Sequence, residues 1–206
     1  MTRPKTLLEL AGAPKLPVTW EKSVLLLIDH QQEYASDGGL PLVGIDAAVS
    51  EIAKLLAAAR AAGAPVIHIQ QMGRPGGALF DPNGPRGAFI STIRPLDGER
   101  VVPKTLPNSF AKTDLHEVLQ KTGRNELIVG GFMTHMCVSA TVRSALDHGY
   151  RVSVVASACA TRDLPDQLGG AVIAAADLHR IALAELGDRF ATILPSADAI
   201  EVRAAA

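Results

Sequence analysis

The sequence has few cysteines and no excess of charge of either sign. Its 206 residues include two cysteines, too few for a disulfide framework, and this favours a reducing compartment. The 20 lysines and arginines are balanced by 21 aspartates and glutamates. The chain therefore lacks the basic field that binding to nucleic acid requires.

Long hydrophobic runs are also missing. No stretch of about 18 apolar residues occurs, so no membrane-spanning helix is predicted. The first residues lack the order of charged and then apolar residues that marks a secretory signal. We therefore predict a cytoplasmic protein with neither a membrane nor a nucleic-acid partner. The length favours a single domain over residues 1–206, in which residues 1–22 form an irregular arm.

Short apolar runs alternate with stretches of helical periodicity along most of the chain. Strands are predicted at 23–29, 65–70, 100–103, 127–130, 152–156 and 191–194, and helices at 45–62, 114–121 and 167–186. This alternation predicts an α/β fold: a three-layer, doubly wound, mostly parallel six-stranded sheet with helices on both faces. Residues 71–100 are rich in glycine and proline and predict a long loop, either a lid or part of an interface.

Cys137 is the first candidate for a catalytic residue. It lies just inside the start of a helix that follows the strand at 127–130 and ends at His148. The first turn of a helix offers unpaired backbone N–H groups and the positive end of the helix dipole. Such a position lowers the pKa of a thiol and favours the nucleophilic thiolate. A free cysteine can equally be a small buried hydrophobic residue, and Cys159 fits that interpretation.

Asp29 and Lys104 join Cys137 at one edge of the predicted sheet. Asp29 ends the first strand and Lys104 follows the third, and ligands bind such sheets outside the carboxyl ends of the strands. Taken singly, Asp29 could cap a turn and Lys104 could be a solvated cation. Together they complete a nucleophilic site, in which Asp29 accepts the thiol proton and returns it to a leaving amine while Lys104 keeps Asp29 ionised.

These motifs resemble those of the isochorismatase-like cysteine hydrolases, and in particular the amidohydrolase branch with N-carbamoylsarcosine amidase and nicotinamidase-type enzymes. The resemblance covers about 23–163. It depends on three parts in order: Asp29 with Gln31, then Lys104-Thr105-Leu106-Pro107-Asn108-Ser109-Phe110, then Gly131-Phe132-Met133-Thr134-His135-Met136-Cys137-Val138.

The resemblance implies a catalytic triad of Asp29, Lys104 and Cys137 and a homo-oligomer, either a dimer or a tetramer. It also implies a cis peptide bond between Phe132 and Met133, and an oxyanion hole formed by the amides of Met133 and Cys137. The predicted substrate-binding residues, two of which match family positions near the pocket, are Gln31, Tyr34, Thr134, His135, Phe80 and Asn108.

Two departures from the family pattern narrow the activity. Nicotinamidases carry an Asp-x-His…His metal site after the second strand, whereas here His68 is followed by Ile69-Gln70-Gln71-Met72-Gly73. Neither a metal nor another cofactor is therefore predicted. Isochorismatases that cleave a vinyl ether generally lack the nucleophilic thiol, so Cys137 indicates a covalent acyl-enzyme instead.

The sequence thus predicts a cysteine-dependent hydrolase that cleaves a C–N bond, other than a peptide bond, in a small amide, ureide or carbamoyl compound. Two alternatives remain. One is a vinyl-ether hydrolase of the isochorismatase type that uses Asp29 as its acid. The other is a non-catalytic binding module on the same fold.

Overall fold

A computed structural model describes residues 3–14 and 16–201 of the chain. Its strands form one all-parallel sheet in the order β3-β2-β1-β4-β5-β6. The strands are β1 Ser23–Ile28, β2 Val66–Gln71, β3 Arg100–Lys104, β4 Glu126–Phe132, β5 Arg151–Ala160 and β6 Thr192–Leu194. The predicted α/β class and the predicted parallel sheet are confirmed.

Helices cover both faces of this sheet and complete the three layers. They are α1 Leu7–Leu10, α2 Ile45–Ala61, α3 Leu115–Lys121, α4 Ser139–Asp147 and α5 Ala175–Arg189. The apolar residues of α2 pack against one face, and those of α3, α4 and α5 pack against the other. None of the helices within the described ranges is long and apolar enough to cross a membrane.

The central strand β1 shows why its sequence is a continuous apolar run. Leu25 and Leu27 belong to the apolar layer beneath α2, whereas Leu26 and Ile28 belong to the layer on the opposite face. A parallel strand with both faces covered needs apolar side chains in both directions. β1 pairs with β2 on one side and with β4 on the other, so the crevice at its carboxyl end is the switch point where α/β sheets bind ligands.

The approach of β4 to β1 depends on Gly131. This residue has φ +118°, a value in the region that side-chain-bearing residues rarely adopt. A Cβ atom at this position would lie 2.1 Å from the carbonyl oxygen of Ile28. Only glycine fits here, and the chain can then turn directly into the segment that carries Cys137.

One predicted helix begins too early. The prediction was 167–186, but α5 begins at Ala175. Gly169 has φ +87°, which ends any helical conformation there, and Leu164 and Ile173 pair as an antiparallel bridge. The carboxylate of Asp163 accepts the N–H of Ala175 at 2.7 Å and so stabilises the first turn of α5, eight residues later than predicted.

The long loop between β2 and β3 folds back over the carboxyl end of β1. It contains short 3₁₀ turns at Pro85–Gly87 and Ser91–Ile93. The carboxylate of Glu33 accepts the backbone N–H of Phe80 at 2.7 Å, and the ring of Phe89 packs edge-on against His30 with centroids 4.7 Å apart. The loop therefore covers the predicted site within its own chain.

Candidate active site

Three side chains predicted from distant parts of the sequence meet at the carboxyl edge of the sheet. The Lys104 Nζ atom lies 2.8 Å from Asp29 Oδ2 and 3.4 Å from Cys137 Sγ. All three residues are buried, with exposed fractions of 0% for Asp29, 2% for Lys104 and 5% for Cys137. The ammonium group of Lys104 thus contacts both the carboxylate and the thiol.

The backbone at Asp29 turns sharply where β1 ends. Asp29 has φ +52°, a left-handed conformation that aspartate tolerates better than most residues. Its N–H still donates to the carbonyl of Ile69, as in the sheet, but its own carbonyl accepts the N–H of Gln31 at 2.8 Å. The strand alternation therefore stops at this residue, so the directions of the next side chains did not follow from the sequence pattern.

Lys104 has an additional partner that sequence reasoning missed. Its Nζ donates to the side-chain oxygen of Gln71 at 2.6 Å, besides its contacts with Asp29 and Cys137. An ammonium group has three donors, and three acceptors surround this one. Gln71 is the last residue of β2, so the rule that placed Asp29 and Lys104 at the sheet edge could have indicated it.

The electrostatics of the thiol differ from the prediction. Burial, followed by the charge of the Asp29 carboxylate, raises the pKa of Cys137 to about 12, and Lys104 opposes both effects. The expectation of a lowered pKa at this position is therefore wrong, because burial and a neighbouring negative charge both raise it. Burial likewise raises the pKa of Asp29, against the lowering effect of Lys104. The resting thiol is neutral and lies beside a carboxylate of increased basicity.

The segment that carries Cys137 begins with a cis peptide bond between Phe132 and Met133. It continues as a π-helical turn, Thr134–Val138, that leads into α4. The carbonyl of Met133 accepts the N–H groups of Met136 and Val138 at 3.0 and 3.2 Å. This carbonyl is thus bonded within the turn.

Thr134 and His135 anchor this turn to neighbouring elements. The Thr134 hydroxyl donates to the carbonyl of Ala160 at 3.1 Å and pairs with Nδ1 of His179 at 2.9 Å. His135 Nδ1 pairs with the hydroxyl of Thr161 at 2.6 Å. Both predicted substrate-binding residues are therefore engaged within the protein, and His179 of α5 is half-buried against the turn.

Gln31 and Asn108 also have structural partners. The Gln31 amide nitrogen donates to the carbonyls of Gln71 and Gly87 at 2.9 and 2.8 Å, and its oxygen accepts the N–H of Gln71 at 2.8 Å. The Asn108 side-chain oxygen accepts the N–H of Phe110 at 2.9 Å. Gln31 thus joins the segment after β1 to β2 and to the covering loop, and the substrate-binding roles of Gln31 and Asn108 stay predictions.

Tyr34 and Phe80 form an aromatic wall beside the triad. The Tyr34 ring contacts Phe80 and Phe132 edge-on, with centroid distances of 5.2 and 5.8 Å. Burial raises the pKa of the Tyr34 hydroxyl, and the charges of Asp29 and Cys137 raise it further. Tyr34 is therefore neutral and lies near Asp29 and Cys137, and its predicted substrate-binding role stays a prediction.

A cation that was missed from the sequence faces the same region. Arg162 follows β5, and its positive charge acts to lower the pKa of both Tyr34 and His135. Its Nε atom is buried and has no hydrogen-bond partner among the described residues, while Nη1 donates to the carbonyl of Asp163 at 3.3 Å. No carboxylate in the described ranges forms an ion pair with it. Within the described ranges, Arg162 is thus a partly buried positive charge without a counter-ion.

The described residues contain no group of three or more metal-binding side chains. The prediction that the protein uses no metal or other cofactor stays a prediction, as does the predicted homo-oligomer.

Comparison with known proteins shows the family to which most of the sequence is similar. Residues 23–198 match the family described as "Isochorismatase domain". The structure is similar to that of an isochorismatase from Pseudomonas putida, with a TM-score of 0.89 and 47% identity, covering 95% of this chain and 99% of the other.

Three curated relatives span most of the chain. A secreted isochorismatase effector of Verticillium dahliae is 37% identical over 91% of this chain and 95% of its own length. A streptothricin hydrolase of Streptomyces noursei is 38% identical over 94% of this chain and 76% of its own. A maleamate amidohydrolase of Pseudomonas putida is 28% identical over 87% of this chain and 86% of its own. Because one relative is secreted, the predicted cytoplasmic location stays a prediction.

Proposed function

The chain belongs to the isochorismatase family of hydrolases, and we propose that it hydrolyses a C–N bond in a small amide, ureide or carbamoyl compound with Cys137 as the nucleophile. The contact of one buried ammonium group with both Asp29 and Cys137, at 2.8 and 3.4 Å, carries this proposal. The names of relatives that act on maleamate and on ureidoacrylate support an amide-type substrate.

The first half of the reaction uses the basicity of Asp29. The thiol of Cys137 is neutral, with a pKa of about 12, so it needs a base in contact. As Sγ attacks the substrate carbonyl, its proton moves to Asp29, and an Sγ–C bond forms. The C–N bond then breaks, the departing nitrogen takes the proton from Asp29, and an acyl-enzyme remains.

The second half reverses these roles. Water attacks the thioester carbonyl and gives one proton to Asp29, and the Sγ–C bond breaks. The carboxylic acid leaves, and the proton returns from Asp29 to Sγ, so atoms and protons balance. In both halves, N–H groups of the turn at Met133 and Cys137 stabilise the oxyanion. Lys104 offsets the cost of holding the negative charge of Asp29 and Cys137 in a buried site.

Arg162 refines the substrate class. The triad already pairs one positive with one negative charge, whereas Arg162 has no counter-ion among the described residues. A guanidinium group matches the geometry of a carboxylate and pairs with it in a bidentate manner. We therefore propose an amide substrate that carries an anionic group, with that group at Arg162 and its carbonyl at Cys137.

The test is ammonia release from a panel of small amides, ureides and carbamoyl compounds. We expect Cys137→Ala and Asp29→Asn each to lower kcat by at least about a hundredfold, whereas the control Cys159→Ala, which alters the other buried cysteine, retains activity. Undiminished ammonia release by Cys137→Ala would reject the nucleophile. If Cys137→Ala instead retained cleavage of isochorismate and Asp29→Asn lost it, the vinyl-ether alternative would replace this proposal.

A further inference from the structure

A chain of buried polar groups starts at the residue next to Asp29. His30 Nε2 lies 2.8 Å from His68 Nδ1, and His68 Nε2 lies 2.8 Å from Glu99 Oε2. Glu99 in turn forms a double hydrogen bond with Arg60, at 2.8 and 2.9 Å. Both histidines are fully buried. The triad chemistry uses none of these four residues.

The direction of the hydrogen bonds in this chain follows from the charge of Glu99. Burial acts to raise the pKa of Glu99, but hydrogen bonds from Arg60 and from the N–H of Leu96 outweigh it and lower this pKa to about 2. The carboxylate is therefore ionised and can only accept, so His68 must donate from Nε2. Nδ1 of His68 is then the acceptor for the Nε2–H of His30. Each link fixes the tautomer of the next.

Both imidazole rings are neutral at pH 7. Burial is the largest cause that lowers the pKa of His30 and of His68. With His30 in the Nε2–H form, a proton added to Nδ1 of His68 would place an N–H on each side of this contact, so His30 would have to carry its own proton on Nδ1 instead. With two neutral rings, each ring carries its proton on Nε2, and Nδ1 of His30 is buried without a partner among the described residues.

His30, the residue next to Asp29, is held in place by contacts with three other residues. Asp29 has left-handed backbone torsion and is the first residue beyond β1. The ring of the next residue, His30, pairs with His68, and the carbonyl of His30 accepts the N–H of Ile90 at 3.0 Å. The ring also contacts that of Phe89 in an edge-on arrangement. A shift of His30 would rotate the Asp29 carboxylate relative to Sγ and Nζ.

We propose that His30 and His68 are positioning residues for Asp29: with Glu99 and Arg60 they form a hydrogen-bonded chain of fixed direction that aims the Asp29 carboxylate at the Cys137 thiol. This inference rests on the proposed function, because it assigns Asp29 the role of base. The chain runs along the α2 side of the sheet, from the carboxyl end of β1 to Arg60 in the last turn of α2.

The experiment measures alkylation of Cys137 by iodoacetamide at pH 7, followed by mass spectrometry, together with kcat and KM for ammonia release. His68→Leu removes the acceptor for His30, and His68→Asn returns an oxygen near the position of Nδ1. We expect alkylation and kcat to fall at least about tenfold in His68→Leu, because small displacements of a catalytic group have large effects on rate. KM changes less than about twofold, and His68→Asn recovers most of the loss.

The matched control is Ile67→Val on the same strand. Ile67 is buried in the apolar layer on the opposite face, so this variant tests whether a small loss of packing alone lowers reactivity, and we expect it to retain wild-type alkylation. Equal alkylation of the wild type and His68→Leu would overturn the inference and leave the proposed function intact. Cys137 that reacts no faster than Cys159 in the wild type would instead contradict the proposed function.

A spectroscopic measurement covers the case in which His68→Leu does not fold. Long-range ¹H–¹⁵N correlation spectra of the ¹⁵N-histidine-labelled wild type report the tautomer of each ring. We expect neutral Nε2–H forms for His30 and His68 at pH 7, and a mixture of forms with slower alkylation in Glu99→Gln, because an amide can both donate and accept. A cationic ring or an Nδ1–H form in the wild type would contradict the inference, as would unchanged tautomers and alkylation in Glu99→Gln.

Discussion

At the scale of single residues, the central feature is a charge pair with no exposure to water. Both side chains of the Asp29–Lys104 pair are 0% exposed. Such a pair contributes little net stability, because desolvation of two charges offsets their attraction. Removing one partner, however, leaves an uncompensated buried charge. The effect of that unpaired charge on the free energy of unfolding can be measured in a variant without Lys104.

Lys104→Met should destabilise the protein by about 3–5 kcal/mol at neutral pH. Without Lys104, burial raises the pKa of Asp29 further above its ordinary value of 3.8. When an acid has a higher pKa in the folded state than in the unfolded state, the protein loses stability as pH rises from the lower value to the higher. The loss in the free energy of unfolding should therefore be small near pH 4 and grow toward pH 7. Urea denaturation at both pH values measures it.

Two further variants separate the effect of the unpaired Asp29 carboxylate from a loss of packing. Adding Asp29→Asn to Lys104→Met removes the buried charge and should recover much of the stability. Lys121→Met, at an exposed position, should change stability by less than about 0.5 kcal/mol. A deficit independent of pH would indicate lost packing rather than an unpaired carboxylate.

Arg162 makes a prediction about specificity. Hydrogen bonds to charged groups contribute about 1.5–3 kcal/mol, so Arg162→Met should raise KM for a carboxylate-bearing amide by about ten- to a hundredfold. KM for a neutral amide of similar size should stay unchanged. Steady-state ammonia release measures both.

The matched control for this prediction is Arg180→Met, because the Arg180 side chain is 75% exposed on α5. It should alter neither KM. A proportional loss for charged and neutral substrates in Arg162→Met would show that Arg162 supports the fold of the site instead of binding an anion.

At the scale of elements, the site depends on the contact between β1 and β4. Asp29 follows β1, and the turn that carries Cys137 follows β4. The six register pairs from Ser23↔Glu126 to Ile28↔Gly131 align them. The last of these pairs brings Gly131 against the backbone of Ile28, the residue before Asp29.

Gly131→Ala should therefore destabilise the protein by about 3 kcal/mol or more, because a Cβ atom would overlap backbone in an unfavourable conformation. Gly149→Ala is the control, since Gly149 also has positive φ but a Cβ atom there would meet no other atom within 4 Å. It should cost about 1–2 kcal/mol. Thermal denaturation of both variants measures the two losses of stability. Equal losses would contradict the conclusion that the close contact between β1 and β4 requires glycine at position 131.

At the scale of the whole molecule, buried titratable groups predict how stability depends on pH. Burial lowers the pKa of His30 and His68 below 6.5, so the unfolded chain binds more protons below that pH and stability falls. Burial raises the pKa of Cys137 and Cys159 from 9.0 to about 12, so stability also falls above pH 9.

The melting temperature should therefore be highest between about pH 6.5 and 9. Glu99, with its pKa lowered from 4.5 to about 2, adds a further loss as pH falls through that interval. Glu99→Gln should make the melting temperature depend less on pH below about pH 4.5, whereas Glu117→Gln, at an exposed helix position, should leave this dependence unchanged. A pH scan by differential scanning calorimetry measures all three proteins, and a maximum below pH 5 would contradict the assignment of neutral buried histidines.

The sequence by itself determined the parts of the site that depend on local patterns. The apolar run of β1 ends at Asp29, and the run of β4 leads to Cys137. Lys104 follows the predicted third strand, so the rule that parallel sheets bind ligands at the carboxyl ends of their strands predicts all three residues at one edge. The start of α5 was misjudged because Gly169 and the capping contact of Asp163 outweigh the helical composition of 167–174.

Only the tertiary structure decided the contacts and electrostatics that arise between distant segments. The contact of Gln71 with Lys104, the position of Arg162 near Tyr34 and the histidine chain each join segments that are far apart in the sequence, so no local pattern indicated them. The high pKa of the Cys137 thiol likewise depends on burial and on the carboxylate of Asp29, which lies 108 residues earlier in the chain. Local pattern fixes which residues lie at a sheet edge, whereas solvent exclusion and charge proximity exist only once the chain has packed.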